Sequence, residues 1–200
     1  PDILHKTEAG GVALGLDTEA RVREAVAGIL DRAKKYNPQA RIDGVLVQPM
    51  APRGTEVILG INTDPQFGPL LMVGLGGIHV EVLKDVALAP VPLAKPHALA
   101  LIDRLKGRAL LDAHRGAPAA DIDALAELMV RLSQFAADHA ESIAEIDLNP
   151  VFVHPKGSGV TVADALIVTR WSGRSTEPVL EGVDYGSIHR HHRRTHGKYC

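Results

Sequence analysis

The sequence predicts an α+β domain, a sheet with helices packed against it, on three observations. Strand-like runs outnumber helical ones, several of them are separated by turns short enough for hairpins, and the helical patterns fall between groups of strands. Regular alternation of single strands with helices would have pointed to a doubly wound parallel sheet instead. No internal repeat is visible.

Taken in order, "GGVALGL" (Gly10–Leu16) is short, apolar and opened by glycine, and is expected to be a buried strand. Asp17-Thr18 can cap a helix over "EARVREAVAGILDRAKKY", which places Val22, Ala25, Val26, Ile29, Leu30 and Ala33 on one face. That helix must end near "YNP", because Pro38 disfavours helical geometry in the residue before it. "IDGVLVQPM" and "TEVILGINT" are strand-like and separated by the turn composition "APRGT"; "DPQFGP" is a second turn. Strand character resumes in "LLMVGLGGIHVEVLKDVALAPV" around a glycine cluster. Helical patterns return at about Lys95–Lys106 and Asp121–Ala140, the second with Ile122, Leu125, Leu128, Met129, Leu132 and Phe135 at helical spacing. Two last strands, "AEIDLNPVFVH" and "GVTVADALIVTR", are joined by the turn "PKGSG". After Arg170 the periodicity fades, so residues 1–170 form the predicted domain and 171–200 a tail or linker.

Composition narrows the class. The formal net charge of −2 gives no general attraction for nucleic acid, and no apolar run approaches the roughly 18 residues of a membrane span. The one cysteine, Cys200, closes no internal disulfide, in keeping with a reducing, cytoplasmic setting. The tail ends in His189, Arg190, His191, His192, Arg193, Arg194 and His196, without cysteine partners at zinc spacing and without interleaved aromatics. A solvated tail explains it.

Four stretches carry chemistry. Asp147 and Asn149 stand two apart in a strand and therefore share a face. Asp164 interrupts the apolar run "VTVADALIV", where a carboxylate needs a partner. Hard oxygen donors on neighbouring strands suit Mg²⁺, which takes one or two protein carboxylates and fills its shell with water and phosphate. The competing reading is that Asp147 and Asn149 shape a turn at Pro150 while Asp164 pairs with an arginine. "VGLGGIHVE" (Val73–Glu81) brings free backbone N–H groups of Gly76 and Gly77 within reach of an anion, or simply bends a sheet; it matches neither common phosphate-loop spacing. In "VLVQPMAPRGTE", backbone at the strand end around Gln48, Pro49 and Met50 can meet an adenine edge and Glu56 a ribose or cation, or the segment is an ordinary hairpin. His5, with Lys6 beside it and Gly10-Gly11 close behind, can carry a phosphoryl group on an imidazole nitrogen, or is a surface histidine.

Read together, "PDILHKTEAGGVALGL", "GVLVQPMAPRGTEVILGINTDPQFGPLLMVGLGGIHVEVLKDVAL" and "AEIDLNPVFV" resemble the ATP-grasp domain of the NDP-forming acyl-CoA synthetases, the ADP-forming acetyl-CoA synthetase group related to succinyl-CoA synthetase. The resemblance covers roughly residues 1–170. It implies a phosphoryl-transfer domain binding ATP or ADP with Mg²⁺, while CoA is held by a separate domain or subunit of the same enzyme. It implies that His5 relays the phosphoryl group and that Asn149 and Asp164, with Asp147 nearby, are metal ligands. Gln48, Pro49 and Met50 then line the adenine, Glu56 is the acid on the following strand, and the glycines at 76 and 77 face the phosphates. In the family a phosphate-gripping lysine lies upstream of the segment with which this chain opens, so the sequence is expected to be a fragment lacking much of the N-terminal subdomain. Poor nucleotide affinity alone and self-association through an uncovered face are expected from that. Pro49 replaces the glutamate found in many relatives and can donate no backbone hydrogen bond. The rival reading is a catalytically silent regulatory or assembly module of a larger CoA-binding or acetyltransferase protein.

Overall fold

A computed structural model describes residues 3, 6, 9–77, 85–113, 116 and 118–170. The expected tail, with its His/Arg cluster, and His5 lie outside the described residues. The elements within them are α1 (Glu19–Tyr36), β1 (Thr55–Asp64), β2 (Gly68–Leu75), β3 (Val86–Pro90), α2 (Lys95–Asp103), a 3₁₀ turn (Arg108–Leu111), α3 (Ile122–Asp138), β4 (Ile143–Val153), β5 (Val160–Val162) and β6 (Ala165–Thr169).

Helix α1 starts and stops where its sequence signals stand. The Thr18 hydroxyl accepts from the Arg21 N–H, and the chain leaves the helix at Asn37, whose N–H still bonds the Ala33 carbonyl, just before Pro38. Ion pairs Asp17–Arg21, Glu19–Arg23 and Asp31–Lys35 line its exposed side at i,i+4 spacing. Its apolar face is shallow: Ile29 and Ala33 are buried, and the other four predicted positions are half-buried.

The sheet is antiparallel throughout, in the order β3-β2-β1-β4-β5, with β6 also on β4. The "DPQFGP" turn closes β1 onto β2, and the Asp64 carboxylate accepts from the Gln66 and Phe67 N–H groups to hold it. The last predicted strand is broken at Ala163-Asp164, so β5 and β6 pair with successive stretches of β4.

One face of the sheet is dry. Val57, Leu59, Leu71, Val73 and Val151 are fully buried against α2 and α3, which contribute Ile102, Leu125 and Met129. Phe135 departs from its predicted inward position and is 40 % exposed, stacked at an angle on His139, while Ala136 takes the inward place. Three side chains tie loops to this core. Asp85 accepts from the Lys106 and Gly107 N–H groups, Ser133 from Leu93, and Asp121 caps α3 through Ala124 while its other oxygen accepts from Gly157 and Gly159.

Two expected strands are absent. Residues 10–16 have no strand partner: Leu14 is 62 % exposed, and Gly15 sits at a φ of +69°, which bends the chain out of extended geometry. Residues 42–50 also lie outside the sheet, with Leu46 and Val47 about half exposed. Neither run can form a hairpin with β1, both of whose edges are taken, by β2 and β4. Among the described residues, no residue before Val57 belongs to the main core, and no helix is long and apolar enough to cross a membrane.

Candidate functional site

The dry face fixes what the other face carries. Since Val57, Leu59 and Ile61 point to the helices, Glu56, Ile58, Gly60 and Asn62 of β1 point the opposite way. On β4, Ile146 and Leu148 are buried, so Asp147 and Asn149 join Glu56 on the outer face. Asp147 stands across from Gly60 on one side and Leu166 on the other. The register of β1 and β4 then slips by one residue: Leu59 faces Leu148, but Val57 faces Val151, so Asn149 and Pro150 together oppose Ile58. Such a bulge re-aims side chains, and here it presents Asn149 to solvent while returning Val151 to the core.

Asp164 arrives from the facing chain. The Asn149 N–H bonds the Asp164 carbonyl (3.2 Å) and the Ala163 N–H bonds the Pro150 carbonyl (2.9 Å), so Asn149 and Asp164 are opposite neighbours. The Asp164 carboxylate accepts from the Lys6 ammonium at 2.8 Å, both side chains being mostly buried at 13 % and 19 % exposure. Among the described residues, the ion-pair partner of this carboxylate in an apolar strand is a lysine.

Glu56 and the glycines meet at the end of the β1–β2 hairpin. The Gly76 N–H bonds the Glu56 carbonyl at 2.7 Å, so close that a Cβ on Gly76 would stand 2.7 Å from the Glu56 Cβ. Gly77 follows at a φ of +67°, beside the Glu56 carboxylate. Residues 78–84 lie outside the described residues. Gln48 is half-buried, and its Oε1 is enclosed without a hydrogen-bond partner among the described residues; Pro49 and Met50 are exposed. A cleft of about 520 Å³ lies between residues 14–16 and α1, lined by Arg21, Glu24 and Arg32 among others, and shares no residue with this set.

The donor set fits a hard cation. Among the described residues no three His, Cys, Asp or Glu side chains converge to hold a metal; what the outer face offers is two carboxylates and one amide, the number Mg²⁺ uses when phosphate and water complete its shell. That Asp164 already draws in an ammonium shows that the spot stabilises positive charge. The enclosed Oε1 of Gln48 has no hydrogen-bond donor among the described residues. Sequence reasoning placed Lys6 beside His5 but did not join it to Asp164, and it missed Asp121 as the buried carboxylate holding the β4–β5 turn. The first has no local signal, because 158 residues separate the partners.

Comparison with known proteins places the chain in a family. Residues 1–169 match the model of a family described as an ATP-grasp domain. The chain is 42 % identical over 170 residues to the beta subunit of acetate–CoA ligase (ADP-forming) II of Pyrococcus furiosus, spanning 85 % of this chain and 72 % of that subunit. It is 44 % identical over 167 residues to the 4-hydroxybutyrate–CoA ligase (ADP-forming) of Nitrosopumilus maritimus, but spans only 24 % of that longer protein. It superposes with a TM-score of 0.71, at 39 % identity and over 85 % of this chain and 73 % of the other, on the dinucleotide-forming acetyl-coenzyme A synthetase 1 of Korarchaeum cryptofilum, in complex with coenzyme A and Mg-AMPPCP and with its phosphohistidine segment pointing towards the nucleotide-binding site. The chain belongs to the ATP-grasp domains of the NDP-forming acyl-CoA synthetase family.

Proposed function

We propose that this chain is the nucleotide-binding, phosphoryl-transfer part of an ADP-forming acid–CoA ligase, which converts acyl-CoA, ADP and phosphate reversibly into carboxylic acid, ATP and CoA. The observation that carries the reading is the shared outer face of Asp147, Asn149 and Asp164, with the segment that follows His5 tied to it through Lys6.

Each residue has a role that its chemistry can fill. Asn149, Asp164 and Asp147 hold the Mg²⁺ that, when bound, neutralises phosphate charge. Gln48, Pro49 and Met50 line the adenine, and Glu56 takes a ribose hydroxyl. The Gly76 N–H is taken by the Glu56 carbonyl, so Gly76 serves to bring the chain close to Glu56, and Gly77 is the glycine assigned to face the phosphates. His5 attacks the terminal phosphorus of ATP through an imidazole nitrogen, the bond to the bridging oxygen breaks, and ADP leaves; the reverse step regenerates ATP. Such transfers need chiefly positioning and charge neutralisation. CoA is bound by a domain or subunit outside this chain, in keeping with the beta-subunit relatives.

Calorimetric titration with ADP, with and without Mg²⁺, tests the site. Asn149→Ala is expected to weaken Mg-ADP binding about tenfold, the loss of about 1.4 kcal/mol, and to leave metal-free ADP binding unchanged. Equal Mg-ADP affinity in the variant and the parent would remove Asn149 from the metal site.

A further inference from the structure

We propose that Lys6 is a positioning residue that docks the His5 segment on Asp164 and gives way there to a divalent cation. The proposal rests on the assignment of Asp164 as a metal ligand. Four observations lead to it. The contact is short and spans almost the whole domain, from residue 6 to residue 164. Both side chains are mostly buried, so the ammonium compensates a carboxylate that solvent reaches poorly. Lys6 directly follows His5 in the sequence. The Gly11 N–H bonds the Lys6 carbonyl at 2.7 Å, so the backbone of Lys6 is tied to Gly11 while its side chain reaches Asp164.

A cation coordinated by a carboxylate oxygen sits at about 2.0–2.1 Å when it is Mg²⁺. An ammonium already bonded to that oxygen and a divalent ion placed on it repel strongly, so the two compete for Asp164. With no metal, Lys6 supplies the positive charge and the segment is docked. With metal on Asp164, the ammonium is released, still within a side chain's length of the site and able to meet phosphate oxygens. The segment is thus tethered before metal loading and freed by it, which orders the two events.

The competition has a measurable size. A latch closed 90–99 % of the time lowers apparent cation affinity roughly 10- to 100-fold. The test uses the full chain and Mn²⁺ alone, followed by electron paramagnetic resonance, with hydrogen exchange read over residues 6–14 by mass spectrometry. Lys6→Met is expected to bind Mn²⁺ about tenfold or more tightly than wild type, to exchange rapidly over residues 6–14 without metal, and to gain more thermal stability from Mn²⁺ than wild type does. Wild type is expected to reach that rapid exchange only when Mn²⁺ is added, and Lys6→Arg to behave as wild type. If Asp164→Asn abolishes Mn²⁺ binding while Lys6→Met matches wild type in affinity and exchange, the latch is refuted and the metal site stands. If Asp164→Asn, folded by circular dichroism, binds Mn²⁺ like wild type, the metal assignment falls and the latch with it.

Discussion

Asp121 is a carboxylate that builds the domain. It is 7 % exposed, its Oδ1 accepts from the Ala124 N–H at 3.2 Å, and its Oδ2 accepts from the Gly157 and Gly159 N–H groups at 2.9 Å each. It therefore fastens the start of α3 to the turn that leads from β4 into β5 and β6. Asp121→Ala removes a helix cap worth about 1 kcal/mol and two hydrogen bonds to a charged acceptor worth about 1.5 kcal/mol each at the low end. A total loss of about 4 kcal/mol lowers Tm by roughly 8–16 °C in a domain of this size. Differential scanning calorimetry at pH 7 reads it. The backbone N–H donors, that of Gly159 first, hold the Asp121 carboxyl below the ordinary carboxylate range, against the opposing effect of burial. A depressed folded-state value means stability that is fully present above the unfolded value near pH 4 and is lost as pH falls through the folded value. The Tm gap between wild type and variant is therefore expected to be constant from pH 7 to about pH 5 and to narrow below about pH 4. A gap under about 2 °C at pH 7, or one that does not narrow in acid, would refute the reasoning.

Two further substitutions separate scaffold from site. Gly76→Ala places a Cβ 2.7 Å from the Glu56 Cβ and 2.9 Å from its carbonyl carbon; backbone cannot swing aside as a side-chain tip can. The expected cost is about 1–3 kcal/mol, read as a lower urea midpoint, and an unchanged midpoint would contradict the close approach. Asn149→Ala, by contrast, alters an exposed side chain and is expected to leave stability within about 0.5 kcal/mol while Mg-ADP binding drops. A large loss of stability would make Asn149 a structural turn residue.

What the sequence disclosed follows from the range of each signal. The cap at Thr18, the stop before Pro38 and the turn at Asp64–Gly68 act within a few residues, so local chemistry reveals them. Period-two alternation put Asp147 and Asn149 on one face, which the burial of Ile146 and Leu148 bears out. The run at residues 42–50 looked equally strand-like but stays outside the sheet, since periodicity does not say whether an edge is open. The break at Ala163-Asp164 was also hidden: the run "VTVADALIV" reads as continuous, but its two halves pair with stretches of β4 on either side of the Asn149-Pro150 bulge. The Lys6–Asp164 contact was illegible for another reason. Each residue alone is unremarkable, and only the fold brings residue 6 to residue 164.

The central claim is a phosphoryl relay at His5, and one labelling experiment meets it directly. The chain, supplied with a CoA-binding subunit of the kind the proposal requires, is incubated with Mg²⁺ and ATP labelled on the γ-phosphate, and the labelled peptides are mapped. The account predicts acid-labile, base-stable label on the His5 peptide, lost together with turnover in His5→Ala. Label found only elsewhere, with turnover intact in His5→Ala, would contradict it.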